Sequence, residues 1–192
     1  GSGVMGTLKV TPQEYFLVTL HRAENVDLPV RLNEIFTGLE YVSKEFNKPV
    51  LVSVHPRTAA KLREFQIRTD PDSIVLLEAM NFFDFVKLEK NALVVMTDSG
   101  TVQEECCIFG TPNVTLRDVT ERPETVESGS NILSGGQANS ILRCVKLTAS
   151  RNAQWIPPVE YMANNVSKVV MNLVLGFSNQ KRYSSQPFFL AE

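Results

Sequence analysis

The chain has 192 residues, 43% of them hydrophobic and 21% charged, with a formal net charge of −2. This is an ordinary globular composition with room for one sizeable core, and the near balance of charge excludes an electrostatic footprint for nucleic acid. No apolar run approaches the roughly 20 residues that span a bilayer, so no membrane partner is expected.

In chain order, Gly1-Ser2-Gly3 reads as a cloning scar and 1–14 as a leader with no visible secretory signal. Apolar, β-branched runs predict strands over 15–20, 49–54, 73–77, 92–97, 113–116 and, more weakly, 131–133. Between the first two, Leu32, Ile35, Phe36, Leu39, Val42 and Phe46 recur at spacings of three and four, the mark of an amphipathic helix. Shorter helices are expected over 58–65 and 82–89. Another over 101–109 is closed by Gly110 and Pro112. Helices over 137–147 and 159–177 complete the series, the last with Val166, Val169, Val170 and Leu173 on one stripe. The polar tail 178–192 ends in an apolar cluster at Phe188, Phe189 and Leu190. Alternating strands and helices imply right-handed βαβ units, and so an α/β domain over 15–177 with a doubly wound parallel sheet.

In such a sheet ligands bind beyond the carboxyl ends of the strands. The polar residues that stand out fall there: His21 and Arg22, then His55, then Asp98, Ser99 and Gly100, then Arg117 and Asp118. The run 97–105, TDSGTVQEE, joins a strand to a helix. Unpaired N–H groups and the positive dipole end there make a phosphate cradle, with Gly100 permitting close approach. A plain helix cap by Asp98 or Ser99 is the competing reading. Neither GxxxxGK[ST] nor GxGxxG is present, which argues against a P-loop and a dinucleotide domain. Glu104 and Glu105 sit one turn on, placed either for a ribose or simply as solvated carboxylates. The run 117–129, RDVTERPETVESG, offers a guanidinium for a diphosphate or, alternatively, a loop stitched by Arg–Glu pairs. Thr120 is a reasonable N-cap for a helix with Pro123 in its first turn. His21 could hydrogen-bond a phosphate or move a proton, or be an unremarkable loop histidine. Cys106, Cys107 and Cys144 show neither CxxC nor Cys/His metal spacing, so they read as buried thiols of a reducing cytoplasm, with no metal and no cofactor expected.

Taken in order, HRAEN (21–25), HPRT (55–58), TDSGTVQEE and RDVTERPETVESG resemble the non-hydrolysing UDP-N-acetylglucosamine 2-epimerases over roughly 15–135. The resemblance implies a Rossmann-like domain that is the C-terminal half of a GT-B-type two-domain fold. It implies that Ser99, Gly100 and Thr101 hold the diphosphate of UDP, with Thr101 standing where glycine is common. Glu105 would grip the ribose, Arg122 the diphosphate, and His21 would lie at the leaving phosphate as the catalytic residue of this half. Met80 and Phe85 would form the uracil pocket, Met80 through its main chain because glutamine is frequent there. His55 matches a position that some members use for a regulatory nucleotide-sugar. The implied reaction interconverts UDP-N-acetylglucosamine and UDP-N-acetylmannosamine by elimination and re-addition of UDP, for cell-surface polysaccharide precursors.

The implied partners are the UDP-sugar, the N-terminal domain that supplies acid/base carboxylates, and a second copy in a homodimer. Only a short leader precedes the first strand, so that domain is expected to be missing and this half inactive alone. The alternatives are a 2-epimerase of a related 6-deoxy UDP-aminosugar, a hydrolysing epimerase, a nucleotide-sensing module and the nucleotide domain of a GT-B glycosyltransferase; TERPE with HRAEN argues against the last.

Overall fold

The computed structural model describes residues 2–150 and 154–177. The apolar cluster at 188–190, and the tail that holds it, lie outside the described residues.

Six parallel strands form one sheet: β1 (Phe16–Leu20), β2 (Val50–Val54), β3 (Ile74–Leu77), β4 (Val94–Thr97), β5 (Asn113–Thr115) and β6 (Asn131–Leu133). Their spatial order is β3-β2-β1-β4-β5-β6. Every neighbouring pair is parallel, with Val18 opposite both Val52 and Met96. Each strand lies within two residues of its expected start, because buried parallel strands read as short β-branched runs. The architecture is the Rossmann-like doubly wound sheet that the alternation of elements predicts.

The period of two along the strands divides the core between two faces. Phe16, Val18, Leu20, Val50, Val52, Val94, Met96 and Val114 point to one face. It is covered by α3 (Pro29–Phe46), α4 (Pro56–Glu64) and α8 (Ala138–Ser150), which supply Leu32, Ile35, Phe36, Leu39, Leu62, Ile141 and Val145. Tyr15, Leu17, Leu51 and Val95 point to the other, under α1 (Val4–Leu8), α5 (Phe82–Glu89) and α6 (Gly100–Phe109). The crossing of α3 and α8 is close. A Cβ on Gly38 would stand 3.0 Å from Ala138 Cα and from Ile141 Cδ1, so this position has no room for a side chain.

Three elements differ from expectation. Residues 4–8 of the leader form α1, and Val4, Met5 and Leu8 pack on the second core face. One turn in a glycine-flanked stretch is too short for periodicity to reveal. A second short helix, α2 (Ala23–Val26), follows β1 directly. The expected helix over 159–177 is broken: a 3-10 turn at Val159–Met162 precedes α9 (Val166–Phe177). The remaining helix, α7 (Pro123–Glu127), has Pro123 at its start. Its N-cap is Arg122 rather than the expected Thr120. The Thr120 hydroxyl instead accepts the Arg122 main-chain N–H at 3.0 Å. Residues 1–158 form one compact unit, and 159 onward form a second.

Candidate functional site

The chain winds outward from β1 through β2 to β3, then returns to β4 on the opposite side of β1. The reversal between β1 and β4 is the topological switch point, where loops from adjacent strands diverge and open a crevice. His21 follows β1, and Asp98, Ser99 and Gly100 follow β4, so the candidate residues flank that opening.

Asp98 is fully buried at this point. Its carboxylate accepts the main-chain N–H of His21 at 3.1 Å and that of Arg22 at 2.8 Å, and the Asn25 amide at 3.1 Å. His21 Nδ1 lies 3.1 Å from Asp98 Oδ1. Burial pushes the Asp98 carboxyl up, but the hydrogen bonds from His21, Arg22 and Asn25 outweigh it and hold the group below the ordinary carboxylate range. Asp98 is therefore not the helix cap weighed from the sequence: it points back across the sheet and clamps the β1 loop. The consequence falls on His21. With Nδ1 turned to Asp98 and the ring 43% exposed, Nε2 is the nitrogen left facing solvent.

Ser99 is the N-cap of α6 by position, but its side chain makes no capping bond. Above this turn lies Arg122. A Cβ added to Gly100 would come within 3.6 Å of the Arg122 guanidinium carbon, so the side chain lies over the glycine and the helix N-terminus. Arg122 Nε is paired with Glu104, and Nη1 donates to the Glu121 carbonyl at 2.9 Å. Thr101 is exposed in the first helical turn. Glu105 is half-buried, and its carboxyl is raised by burial and by the charge of Glu104.

Arg117 behaves differently from Arg122. It is buried, and its fork meets Glu121 at 2.6 and 2.9 Å while Nε meets Glu24 at 2.6 Å. The bonds to Arg117 lower the Glu121 carboxyl to about 2. The reading of 117–129 as a loop stitched by Arg–Glu pairs thus holds for Arg117, while Arg122 pairs with Glu104 and lies over Gly100. Arg117 is the structural stitch, and Arg122 leans over the cradle.

Met80 and Phe85 are half-buried after β3, packed on the second core face. The structure does not bring them onto the cradle. β3 and β4 are three strand steps apart, about 14 Å. His55, exposed after β2, caps α4 by accepting the Arg57 N–H on Nδ1 at 3.2 Å. Its ring centroid is 6.5 Å from that of His21, so the two histidines of the chain share one corner of the rim. Among the described residues no group of three His, Cys, Asp or Glu side chains could hold a metal ion. No described helix is long and apolar enough to cross a membrane.

The sequence places Asp98 on the rim and offers it as a cap; buried directly after an all-buried strand, it finds its donors across the rim instead. Gln103 has no role in the sequence reading. Gln103 is fully buried, and its signal was available: it falls on the helical stripe of Ser99 and Cys107, between residues that face the core.

The family model for UDP-N-acetylglucosamine 2-epimerase matches residues 2–174. The UDP-N-acetylglucosamine 2-epimerase of Methanococcus maripaludis is 42% identical over 172 residues, covering 88% of this chain and 46% of the relative. That of Methanocaldococcus jannaschii is 43% identical over 152 residues, covering 78% of this chain and 42% of the relative. The chain thus spans about half the length of these curated relatives. A crystal structure of the Methanocaldococcus jannaschii enzyme in complex with UDP-GlcNAc and UDP superposes with a TM-score of 0.80 at 37% identity, covering 93% of this chain and 49% of that one.

Proposed function

The chain belongs to the UDP-N-acetylglucosamine 2-epimerase family, and we propose that it is the UDP-holding half of a two-domain UDP-sugar 2-epimerase. One observation carries the proposal: at the switch point, the Arg122 guanidinium lies over Gly100 at the N-terminus of a ten-residue helix. A forked cation above the N–H groups of a helix N-terminus suits an anion with several oxygens, and a diphosphate can engage both at once.

In this reading Ser99, Gly100 and Thr101 present the helix N-terminus to the diphosphate, and Arg122 exchanges Glu104 for phosphate oxygens. Glu105 accepts from the ribose hydroxyls, and Met80 and Phe85 flank the uracil. The reaction removes the proton at C2 of the sugar and breaks the C1–O bond, so that UDP leaves and a glycal remains. A proton returned to C2 from the other face and re-addition of UDP at C1 complete the inversion. Charge accumulates on the diphosphate as the C1–O bond breaks, so donors aimed there act most strongly in the transition state. Arg122 is one such donor. His21 is the other: its Nδ1 turns to Asp98, which leaves Nε2 for the departing oxygen. The carboxylates that move the C2 proton come from the other half of the protein.

The proposed substrate pair is UDP-N-acetylglucosamine and UDP-N-acetylmannosamine, made for surface polysaccharides in the cytoplasm, where free Cys106, Cys107 and Cys144 stay reduced. The complete protein is proposed to work as a homodimer, and His55 as the contact for a regulatory nucleotide-sugar.

Calorimetric titration of this chain with UDP and with uridine tests the reading. UDP should bind at least about tenfold more tightly, as expected for charge-assisted contacts, while the chain alone leaves UDP-N-acetylglucosamine unchanged at C2. Equal affinity for the two ligands removes the diphosphate site, and epimerisation by the chain alone removes the division of labour.

A further inference from the structure

The first turn of α6 and the arm that carries Arg122 come from different parts of the chain, yet a diphosphate site needs a fixed distance between them. The Gln103 side chain joins the two and is fully buried. Its amide nitrogen donates to the Ser99 carbonyl at 3.2 Å. Its oxygen accepts the Thr120 hydroxyl at 2.7 Å and the Asn131 amide at 3.3 Å.

Both of those donors lead to Arg122. The Thr120 oxygen accepts the Arg122 N–H at 3.0 Å. Asn131 also donates to the Thr125 hydroxyl at 3.0 Å, and that hydroxyl donates to the Arg122 carbonyl at 2.8 Å. The main chain of Arg122 is thus gripped on its N–H side and on its carbonyl side, and both grips converge on one oxygen atom. Asn131 is anchored in turn to the sheet, where it accepts from Thr115 at 2.9 Å. The Thr120 and Thr125 hydroxyls each give one bond and take one, so both arms of the network run in a consistent direction. Fully satisfied buried networks of this kind fix geometry, and breaking one member leaves several partners unpaired.

We propose that Gln103 is a positioning residue: through Thr120, and through Asn131 and Thr125, it sets Arg122 over Gly100 at the spacing a nucleoside diphosphate requires. The inference rests on the UDP reading above. Gln103 touches no part of the ligand. Its effect on affinity passes through Arg122, and it should therefore depend on the phosphates and vanish when Arg122 is gone.

The test is a double-mutant cycle on this chain, read by calorimetry with UDP and uridine and accompanied by thermal melting. Gln103→Leu should weaken UDP about tenfold and change uridine less than about twofold. In an Arg122→Ala background the same substitution should cost UDP less than about threefold. Thr120→Val should reproduce the loss and Thr120→Ser should not, since serine keeps the hydroxyl. Thr120 is only half-buried, so this pair carries the test even if Gln103→Leu does not fold. Equal losses for UDP and uridine, or an undiminished loss in the Arg122→Ala background, overturn the positioning role. If the unaltered chain does not prefer UDP to uridine, the UDP reading itself fails. If it does, and Arg122→Ala abolishes the preference while Gln103→Leu and Thr120→Val leave it intact, only the positioning role fails.

Discussion

The rim of the sheet has two corners that are built in opposite ways. Behind one of them, from β1 across β4 and β5 to β6, runs a lattice of buried polar groups that reaches from the rim into the sheet: Asp98, Gln103, Asn113, Thr125 and Asn131 are each at most 2% exposed, and each is hydrogen-bonded. Beyond β3 the corner is apolar and open, with Phe82 and Phe83 64% and 77% exposed and Met80 and Phe85 half-buried. The difference follows from what each would hold. A diphosphate rewards donors fixed in place before it arrives, because hydrogen bonds that need no rearrangement lose little to ordering. A flat base is satisfied by contact area, which many side chains can supply. The polar corner should therefore dictate affinity, and the apolar corner should adjust it.

The strongest way to break that comparison is to remove the proposed donor to the departing oxygen. In the complete two-domain protein, His21→Ala should lower turnover about 10²–10³-fold, the usual range for loss of a donor to developing negative charge. The Michaelis constant should change much less. His21→Asn should keep part of the activity if hydrogen bonding is the role, and steady-state kinetics with the UDP-sugar decide it. Unchanged turnover in a folded His21→Ala variant returns this histidine to an ordinary loop residue.

Next in size is Arg122→Ala, which should weaken UDP about 10²-fold and uridine hardly at all, given roughly 1.5–3 kcal/mol per hydrogen bond to a charged group. Arg122→Lys should recover only part, since an ammonium lacks the fork. Smaller again is Glu105→Gln, expected to cost UDP about tenfold through the proposed ribose contact. A 2′,3′-dideoxy analogue of UDP serves as the control, because an equal loss with that ligand removes the ribose role. In the apolar corner, Met80→Ala should cost UDP and uridine alike, about fourfold or less, because a main-chain contact survives the change and the side chain covers at most about one methylene's worth of the base. A diphosphate-selective loss at Met80 would erase the distinction between the corners.

The place of the polar corner was legible in the sequence, because TDSG and TERPE carry the family resemblance; the buried network behind it was not, since Gln103, Asn113, Thr125 and Asn131 find their partners only in the folded chain. The strands were legible because parallel pairing buries both their faces. The division of labour between Arg117 and Arg122 was not legible. Both lie in one charged run, and only the fold shows Glu24 and Glu121 closing on the first while Gly100 opens beneath the second. Thr120 looked like a helix cap because a hydroxyl two or three residues before Pro123 fits that pattern; its hydroxyl instead serves Arg122 and Gln103. The helix at Val4–Leu8 and the break after Met162 left no periodic signal, since a single turn gives apolar spacing no room to repeat.

The helices behind the two corners meet at Glu89, where the smallest effect on binding is expected. This residue ends α5, on the apolar side, and its Oε1 accepts the thiol of Cys106 in α6, on the polar side, at 3.3 Å. It is fully buried, and Oε2 has no hydrogen-bond partner. Burial, and then the charge of Glu105, push the carboxyl up to about 8, so the folded chain holds this group protonated well above the ordinary carboxylate range. Below the ordinary value of 4.5 the group is protonated in the folded and unfolded chains alike and costs nothing. Between 4.5 and about 8 the unfolded chain releases the proton and the folded chain does not, so stability falls as pH rises through that window. Glu89→Gln abolishes this titration without a large change in shape. The melting temperature of the variant should match that of the parent chain near pH 4 and exceed it by about 5 °C at pH 8, the scale of a shift of one to a few kcal/mol in a domain of this size. UDP affinity should change less than about twofold at either pH, because the joint supports both corners and touches neither ligand group. A melting difference that stays flat from pH 4 to pH 8 would mean that this carboxyl ionises normally and that water reaches the joint between α5 and α6.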